Sequence, residues 1–177
     1  MSARAEQGTD DVTGRYLALP RVLCLITAGE QLLLLRGAPD KRIWPNLYNG
    51  VGGHVERGED VRAAALREIA EETGLAVENL QLRGVVNIAP DETGVGVIMF
   101  VFTAQAVGRA VRSSTEGAPV WVGPGQLEEL DLVPDLPLIL PRALGLCQGL
   151  FFGHYSYDEE GQLVTCFFPP LLPEGRS

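Results

Sequence analysis

Three glutamates, Glu68, Glu71 and Glu72, stand at i, i+3 and i+4 within residues 53–75 (GHVERGEDVRAAALREIAEETGL). On a helix, residues with this spacing point into one sector of roughly 100°. Like charges four residues apart destabilise a helix, whereas a hard divalent cation such as Mg²⁺ would be coordinated by the carboxylate oxygens. The spacing therefore indicates a metal site. For three glutamates taken alone, a solvated acidic helix face is the alternative.

The residues around the glutamates favour the metal site. Gly52 and Gly53 form a loop whose backbone can approach a ligand closely and offer a carbonyl oxygen. Glu59 lies at the start of the predicted helix, where the helix dipole favours negative charge. It precedes Arg67 by eight residues, about two turns, which allows a salt bridge along the helix. Arg67 would then orient its neighbour Glu68 rather than bind a substrate.

The elements that must position these groups are a helix and a sheet. Residues 60–73 predict the helix, which Asp60 can cap and Gly74 can end. Its apolar residues, Ala65, Leu66, Ile69 and Ala70, are expected on the face next to the carboxylates, against the sheet. Apolar and β-rich runs predict strands at 21–28, 31–36, 80–89, 95–107, 118–122, 151–157 and 162–168. A helical turn is expected at 124–130, and a second, irregular helix at 134–146.

These elements predict one mixed α+β domain, with a largely antiparallel sheet flanked by helices. The chain has 177 residues and a net charge of −9, which leaves no broad basic surface for DNA or RNA. We expect a flexible N-terminal tail over 1–15, the domain over 16–168 and a C-terminal tail over 169–177. The N-terminus carries no apolar signal region, and no apolar run is long enough to cross a membrane. The three cysteines are expected to be buried and reduced, in a cytoplasmic protein.

The segment 53–75 resembles the Nudix box over its whole length. It contains the residues of that motif in order: Gly53, five residues, Glu59, seven residues, Arg67-Glu68, the aliphatic Ile69, one residue, Glu71-Glu72, one residue, Gly74 and the aliphatic Leu75. Many fixed residue types must coincide for such a match. The motif is therefore specific, unlike an isolated glycine-rich loop.

The resemblance implies a Nudix α/β/α sandwich that covers about residues 20–168. Members of this family hydrolyse nucleoside diphosphates linked to another group, with Mg²⁺ as cofactor and Mn²⁺ as a substitute. By position, the metal ligands would be the carboxylates of Glu68, Glu71 and Glu72 and the carbonyl oxygen of Gly53. Family members that cleave triphosphates often add a later acid before a Trp-bearing strand. Glu116 occupies that place, with a surface loop residue as the alternative.

The implied mechanism follows from charge. Bound Mg²⁺ would neutralise the diphosphate and lower the pKa of a water molecule. Glu68 would take the proton of that water as the general base, with Arg67 and Glu59 supporting it. The metal-binding glutamates are expected to face solvent or metal. Arg36, at the end of a strand beside the box loop, is expected to bind phosphate, with a solvent-facing strand-end arginine as the alternative.

Within the family, the chain is most similar to the oxidised-purine nucleoside triphosphatases. Those enzymes often carry Trp-Asn-Gly-aromatic-Gly-Gly before the box, where this chain has YNGVGG at 48–53. Asn49 would then read the base. Their later Trp-Pro-Asp-Asp corresponds to VPDL at 133–136, so that Asp135 is kept while the Trp and the second Asp are absent. A base pocket including Leu47, Phe100 or Leu136 is expected around these groups.

Three functions remain open from the sequence. The first is a pyrophosphohydrolase that cleaves a nucleoside triphosphate, such as 8-oxo-dGTP, to a monophosphate and pyrophosphate. The second is a Nudix hydrolase of a dinucleotide polyphosphate or a nucleotide sugar. The third is a non-catalytic nucleotide sensor, which could dispense with the three glutamates. In each case the partner is a small nucleotide and not a nucleic acid polymer or a membrane; the sequence does not specify an oligomeric state.

Overall fold

The computed structural model describes residues 11–90, 94–146, 149–158, 160 and 162–170. Its strands are β1 (Leu17–Ala28), β2 (Gln31–Gly37), β3 (Tyr48–Asn49), β4 (Val77–Ile88), β5 (Val95–Ala106), β6 (Gly117–Val122), β7 (Phe151–Tyr157) and β8 (Leu163–Phe168). Its helices are α1 (Val61–Thr73) and α2 (Leu136–Pro141), with a 3₁₀ turn at Pro124–Glu129. The predicted strands are present within a few residues of their expected bounds. The short strand β3 was not predicted, because two residues carry no periodicity.

The strands form one mixed sheet in the order β3-β2-β1-β5-β4-β7-β8, with β6 also paired to β2. β1 runs parallel to β5 from Leu17↔Val95 to Thr27↔Gln105, and β4 runs parallel to β7. The other pairings between named strands are antiparallel. This confirms the expected mixed, largely antiparallel sheet.

Each face of the sheet has its own apolar core. On one face, α1 packs Ala64, Ala65 and Ile69 against side chains of β1, β2 and β5. On the other, α2 packs Leu136 and Ile139 against a second cluster. The fold is therefore the expected α/β/α sandwich. Within the described ranges, no helix is long and apolar enough to span a bilayer.

Helix α1 begins and ends where the sequence predicts. The Asp60 carboxylate accepts hydrogen bonds from the amides of Arg62 (2.8 Å) and Ala63 (2.9 Å), and Gly74 follows in the left-handed conformation at φ 74°. The buried face is rotated from the expected one: Ala64 is buried, whereas Ala70 is exposed. With this rotation, Glu72 near the end of α1 lies on the buried face of the helix.

The second helix is present and irregular, as expected. Its α-helical part is only six residues long, because Pro141 lacks the amide that a continuing α-helix requires, and the chain widens into a π-type turn at Arg142–Leu146. The expectation for the cysteines needs correction. Cys24 is buried as expected, but Cys166 is exposed, on the outermost strand β8 together with Val164 and Phe168. Cys147 lies outside the described residues, as do residues 1–10 and 171–177 of the predicted tails.

Candidate active site

Arg67 is the centre of a hydrogen-bond network on the exposed side of α1. Its Nη2 donates to Glu59 Oε1 at 2.7 Å and its Nε to Glu59 Oε2 at 3.2 Å, which is the two-pronged pairing that a guanidinium forms with a carboxylate. Its Nη1 donates to Glu68 Oε1 at 2.9 Å and to Glu71 Oε2 at 3.2 Å, and Nη2 also donates to the His54 carbonyl at 2.9 Å. The ion pair expected from the spacing of Glu59 and Arg67 is present, and one side chain joins three acids of the box.

The pairing shifts the protonation equilibria of both partners. The hydrogen bond from Arg67 holds the pKa of Glu59 below its usual range, with the Glu56 amide as a second donor. The hydrogen bond to Glu59 in turn raises the pKa of Arg67. Both groups are thus charged at neutral pH, and the network provides a fixed positive group beside Glu68.

Glu68 is held from its other side by the glycine loop. A Cβ placed on Gly53 would overlap Glu68 Oε1, so that a side chain here would push this carboxylate away from its place. The loop itself is bonded to β1, because the Val22 amide donates to the Gly53 carbonyl at 2.9 Å. A Cβ on Gly52 would meet the Val22 carbonyl oxygen at 2.1 Å. The two glycines therefore allow the loop to lie against β1 and α1 at once.

Glu72 is buried, with 5% of its surface exposed, so of the two expected surroundings, solvent or metal, solvent is excluded. It lies in the sector of α1 that packs on the sheet, and its Oε2 accepts a hydrogen bond from the Gly52 amide at 2.9 Å. Burial raises its pKa to about 7, and the charges of Glu68 and Glu116 add to the rise, while the Gly52 amide and Lys41 lower it. A buried carboxylate among other acids is stabilised in its charged form by a nearby cation.

Glu116 lies close enough to this cluster to affect Glu72, and it is paired with Lys41. The Lys41 Nζ and Glu116 Oε2 are 2.8 Å apart. Arg36 is exposed near the end of β2, opposite Ala118 in β6, and lines a cavity of roughly 380 Å³ between the loop after β2 and the start of β6. The predicted phosphate ligand and the predicted late acid thus lie at the same end of the β2–β6 pair.

The acids provide oxygen ligands suited to a divalent metal. Among the described residues, no three acidic, histidine or cysteine side chains are gathered around one point. Arg67 holds Glu68 and Glu71. Glu71 is 61% exposed and can turn. The buried, high-pKa carboxylate of Glu72 lies nearby. Hard oxygen donors of this kind fit Mg²⁺ or Mn²⁺.

Asn49 and Asp135 come from two segments that the fold places side by side. The Tyr48 amide donates to the Asp131 carbonyl at 2.9 Å, and the Val133 amide donates to the Tyr48 carbonyl at 3.0 Å. The Asn49 side-chain oxygen accepts from the Gly50 amide at 2.8 Å. Burial raises the pKa of Asp135, which lies near the buried hydroxyl of Tyr155.

The surroundings of these two residues match the expected apolar pocket in part. Leu47 and Leu136 belong to the core on the α2 side, together with Tyr155. Phe100 packs on the opposite, α1 side of the sheet, because its side chain alternates to the other face of β5. Phe100 therefore does not line the expected pocket. Leu136 lies on the correct side of the sheet, but its side chain is fully buried.

Two residues near the candidate site had no expected role. Lys41 is the only lysine of the chain, and that rarity was its only signal. Tyr155 lies in a strand whose alternation predicts burial but not a polar neighbour.

Comparison with known proteins identifies the family of the chain. Residues 18–143 match the model of the NUDIX domain. The chain is 31% identical over 151 residues to an uncharacterized Nudix hydrolase of Bacillus subtilis, YvcI, covering 83% of this chain and 92% of that protein. It is 26% identical over 153 residues to the oxidized purine nucleoside triphosphate hydrolase of Mus musculus, covering 84% and 94%. It is 33% identical over 119 residues to the NAD-capped RNA hydrolase NudC of Pseudomonas aeruginosa, covering 67% of this chain and 38% of that protein.

Solved structures show the same fold. A MutT protein from Bacillus halodurans superposes with a TM-score of 0.72 at 24% identity, covering 86% of this chain and 99% of that one. The NUDIX domain of Shewanella oneidensis NrtR, solved with ADP ribose, superposes with a TM-score of 0.66 at 16% identity, covering 80% and 96%. With the domain match and the YvcI similarity, the chain belongs to the Nudix family and is a hydrolase of phosphoric anhydride bonds.

Proposed function

We propose that this protein is a Mg²⁺-dependent pyrophosphohydrolase that cleaves a nucleoside triphosphate to a nucleoside monophosphate and pyrophosphate. The observation that carries the proposal is the network in which Arg67 fixes Glu68 against Gly53, one helical turn from the buried Glu72. The mouse relative named for oxidised purine triphosphates supports the choice of substrate class, since the similarity extends over most of both chains.

The proposed site residues have distinct tasks. Glu68, Glu71, Glu72, Glu116 and the carbonyl of Gly53 would hold the metal, which supplies charge neutralisation and an activated water when bound. Glu68 takes the proton of the attacking water, and its ion pair with Arg67 keeps the accepting oxygen in place.

The remaining site residues position Arg67 and the substrate. Glu59 keeps Arg67 oriented through both of its carboxylate oxygens. Arg36 binds the phosphate chain at the end of β2. Asn49 and Asp135 bind the base.

A second candidate is a Nudix hydrolase of another nucleoside diphosphate-linked compound, such as a dinucleotide polyphosphate or nucleotide sugar. One observation favours it: Leu136 stands where the oxidised-purine enzymes place a second acid, and its side chain is fully buried in the core. Only Asp135 of that acidic pair is left to read a purine edge, and losing one hydrogen bond to the base lowers selectivity.

A substrate panel with product identification separates these candidates. The purified protein is incubated with Mg²⁺ and canonical or oxidised purine triphosphates, dinucleotide polyphosphates, nucleotide sugars and ADP-ribose. Pyrophosphate and a monophosphate released fastest from a triphosphate support the proposal. Preferred cleavage of a dinucleotide or sugar compound supports the second candidate. Nucleotide binding without turnover of any substrate would indicate a sensor and overturn both.

A further inference from the structure

The loop between β2 and β3 carries Lys41 to the acidic site. The amide of Ala38 donates to the Glu116 carbonyl at 3.3 Å and the Lys41 amide to the Ala38 carbonyl at 3.1 Å, so the backbone of this loop lies against the start of β6. The Lys41 ammonium group then reaches the Glu116 carboxylate at 2.8 Å. It is the only lysine in the chain.

This ion pair occupies a carboxylate that the proposed reaction needs for metal. The side chains of Lys41 and Glu116 are 38% and 52% exposed, and exposed pairs of this kind contribute little free energy. A divalent cation carries two positive charges and an ammonium group carries one. The cation therefore attracts a carboxylate more strongly. Metal binding at Glu116 would therefore displace Lys41 without a large cost.

The Lys41 side chain lies beside Gly37, since a Cβ on Gly37 would be 3.6 Å from Lys41 Cδ, and a displaced ammonium group would stay near the expected phosphate path. Lys41 and Arg36 lie at the same end of the β2–β6 pair, where Arg36, Gly37, Ala38 and neighbouring residues line the roughly 380 Å³ cavity. Lysine is a compact, rotatable point charge that binds phosphate oxygens from a range of directions.

We propose that Lys41 is a mobile phosphate-binding residue, which neutralises Glu116 while metal is absent and binds the phosphate chain when a divalent cation takes Glu116. The inference rests on the proposed function and adds a residue to it. It predicts that Lys41 weakens metal binding in the absence of nucleotide and strengthens nucleotide binding in the presence of metal.

The first half of the proposal is tested by measuring the affinity for Mn²⁺ without nucleotide. Electron paramagnetic resonance gives the concentration of the free ion. Lys41→Met should tighten Mn²⁺ binding roughly two- to fivefold, the range of an exposed ion pair, whereas Lys41→Arg should stay near the wild type. In a Glu116→Gln background, Lys41→Met should make no difference. Unchanged affinity in Lys41→Met, or equal tightening with and without Glu116, would overturn the exchange.

The second half is tested by kinetics and by one NMR signal. Lys41→Met should raise the KM for the triphosphate by roughly two- to fivefold with little change in kcat, and Lys41→Arg should restore it. After reductive ¹³C-methylation, the single lysine signal should move on adding Mg²⁺ and again on adding a non-hydrolysable triphosphate. The Mg²⁺ response should be lost in Glu116→Gln. An unchanged KM, or a signal insensitive to nucleotide, would overturn phosphate binding by Lys41.

The two proposals fail in different ways. Failure to cleave any triphosphate in the panel would overturn the proposed function. The exchange of Lys41 for a cation at Glu116 would still be decided, because Mn²⁺ binding and the Mg²⁺-induced signal change need no turnover. Conversely, triphosphate hydrolysis by a protein in which Lys41→Met has no effect would leave the proposed function standing and reject the role of Lys41.

Discussion

At the scale of single residues, Arg67 connects the acidic side chains of the Nudix box. Its guanidinium group forms ion pairs with the carboxylates of Glu59, Glu68 and Glu71 at the same time. We expect Arg67 to affect the reaction through these neighbours, by fixing the orientation of the group that would bind metal or accept a proton.

Arg67 and Glu59 should therefore behave as one unit in mutagenesis. Arg67→Gln and Glu59→Gln are each expected to lower kcat by roughly 10- to 100-fold, the usual effect of losing a partner that orients a metal ligand. The double variant should lose little more than either single one, because both remove the same interaction. Steady-state kinetics of the three variants measure this, and fully multiplicative losses would show that the two residues act independently.

Glu72 gives a pH dependence to the stability of the metal-free protein. Its pKa is raised from 4.5 to about 7, so the folded chain binds this proton more tightly than the unfolded chain does. The resulting stabilisation is fully present below about pH 4.5 and is lost as the pH rises through 7. With chelator present, Glu72→Gln should gain stability over the wild type at pH 8, on the order of 1–3 kcal/mol, and gain little at pH 5.

Urea unfolding at both pH values measures the effect, with the exposed Glu71→Gln as the matched control. The difference in unfolding free energy between Glu71→Gln and the wild type should be similar at pH 5 and pH 8. If the Glu72→Gln variant and the wild type keep the same stability difference at both pH values, the buried carboxylate does not titrate as described.

At the scale of elements, the site depends on the contact between the glycine loop and α1. Asp60 sets the start of the helix and Gly53 sets how closely the Glu68 carboxylate approaches the loop. The helix, its cap and its end could be predicted from the sequence because each depends on neighbouring residues. The burial of Glu72 could not, because it depends on how α1 is rotated over β1 and where the Gly52 amide lies.

Gly53→Ala should therefore disturb the site more than the fold. The added methyl group would overlap Glu68 Oε1, which must move away from its bond with Arg67, and kcat is expected to fall at least about tenfold. Gly125→Ala is the control, since a Cβ there meets no atom within 4 Å. Kinetics and thermal unfolding are compared for both variants. Wild-type turnover in a folded Gly53→Ala protein would contradict the placement of Glu68.

At the scale of the whole molecule, one sheet brings together groups that are distant in the chain. Local sequence patterns predicted the strands, and the box predicted the sandwich by resemblance. The partnership of Lys41 with Glu116 and the nearness of Tyr155 to Asp135 depend on long-range pairings, β2 with β6 and β4 with β7. Residue periodicity does not specify such pairings. It also does not specify which face of β5 meets which helix, and Phe100 lies on the α1 side and not at the expected pocket.

The pairing of β3 with the segment before α2 brings Asn49 and Asp135 near each other, so we expect base selection to depend on the assembled domain. Asn49→Ala and Asp135→Ala should each lower kcat/KM for the preferred nucleotide by roughly 10- to 100-fold, the effect of about 1–3 kcal/mol, and leave a poor substrate nearly unchanged. Purine and pyrimidine triphosphates, with and without base oxidation, provide the comparison. An equal fall for every substrate would show that the two residues support the fold instead.

The most direct test of the hydrolytic site is the identity of the products with and without metal. We expect the wild-type protein to release pyrophosphate and a monophosphate from a triphosphate with Mg²⁺ or Mn²⁺, and none in excess chelator. Glu71→Gln should lower kcat by at least about 100-fold while the exposed Glu78→Gln stays at the wild-type level. Full activity in chelator, or wild-type turnover by Glu71→Gln, would contradict metal-dependent hydrolysis at the box acids.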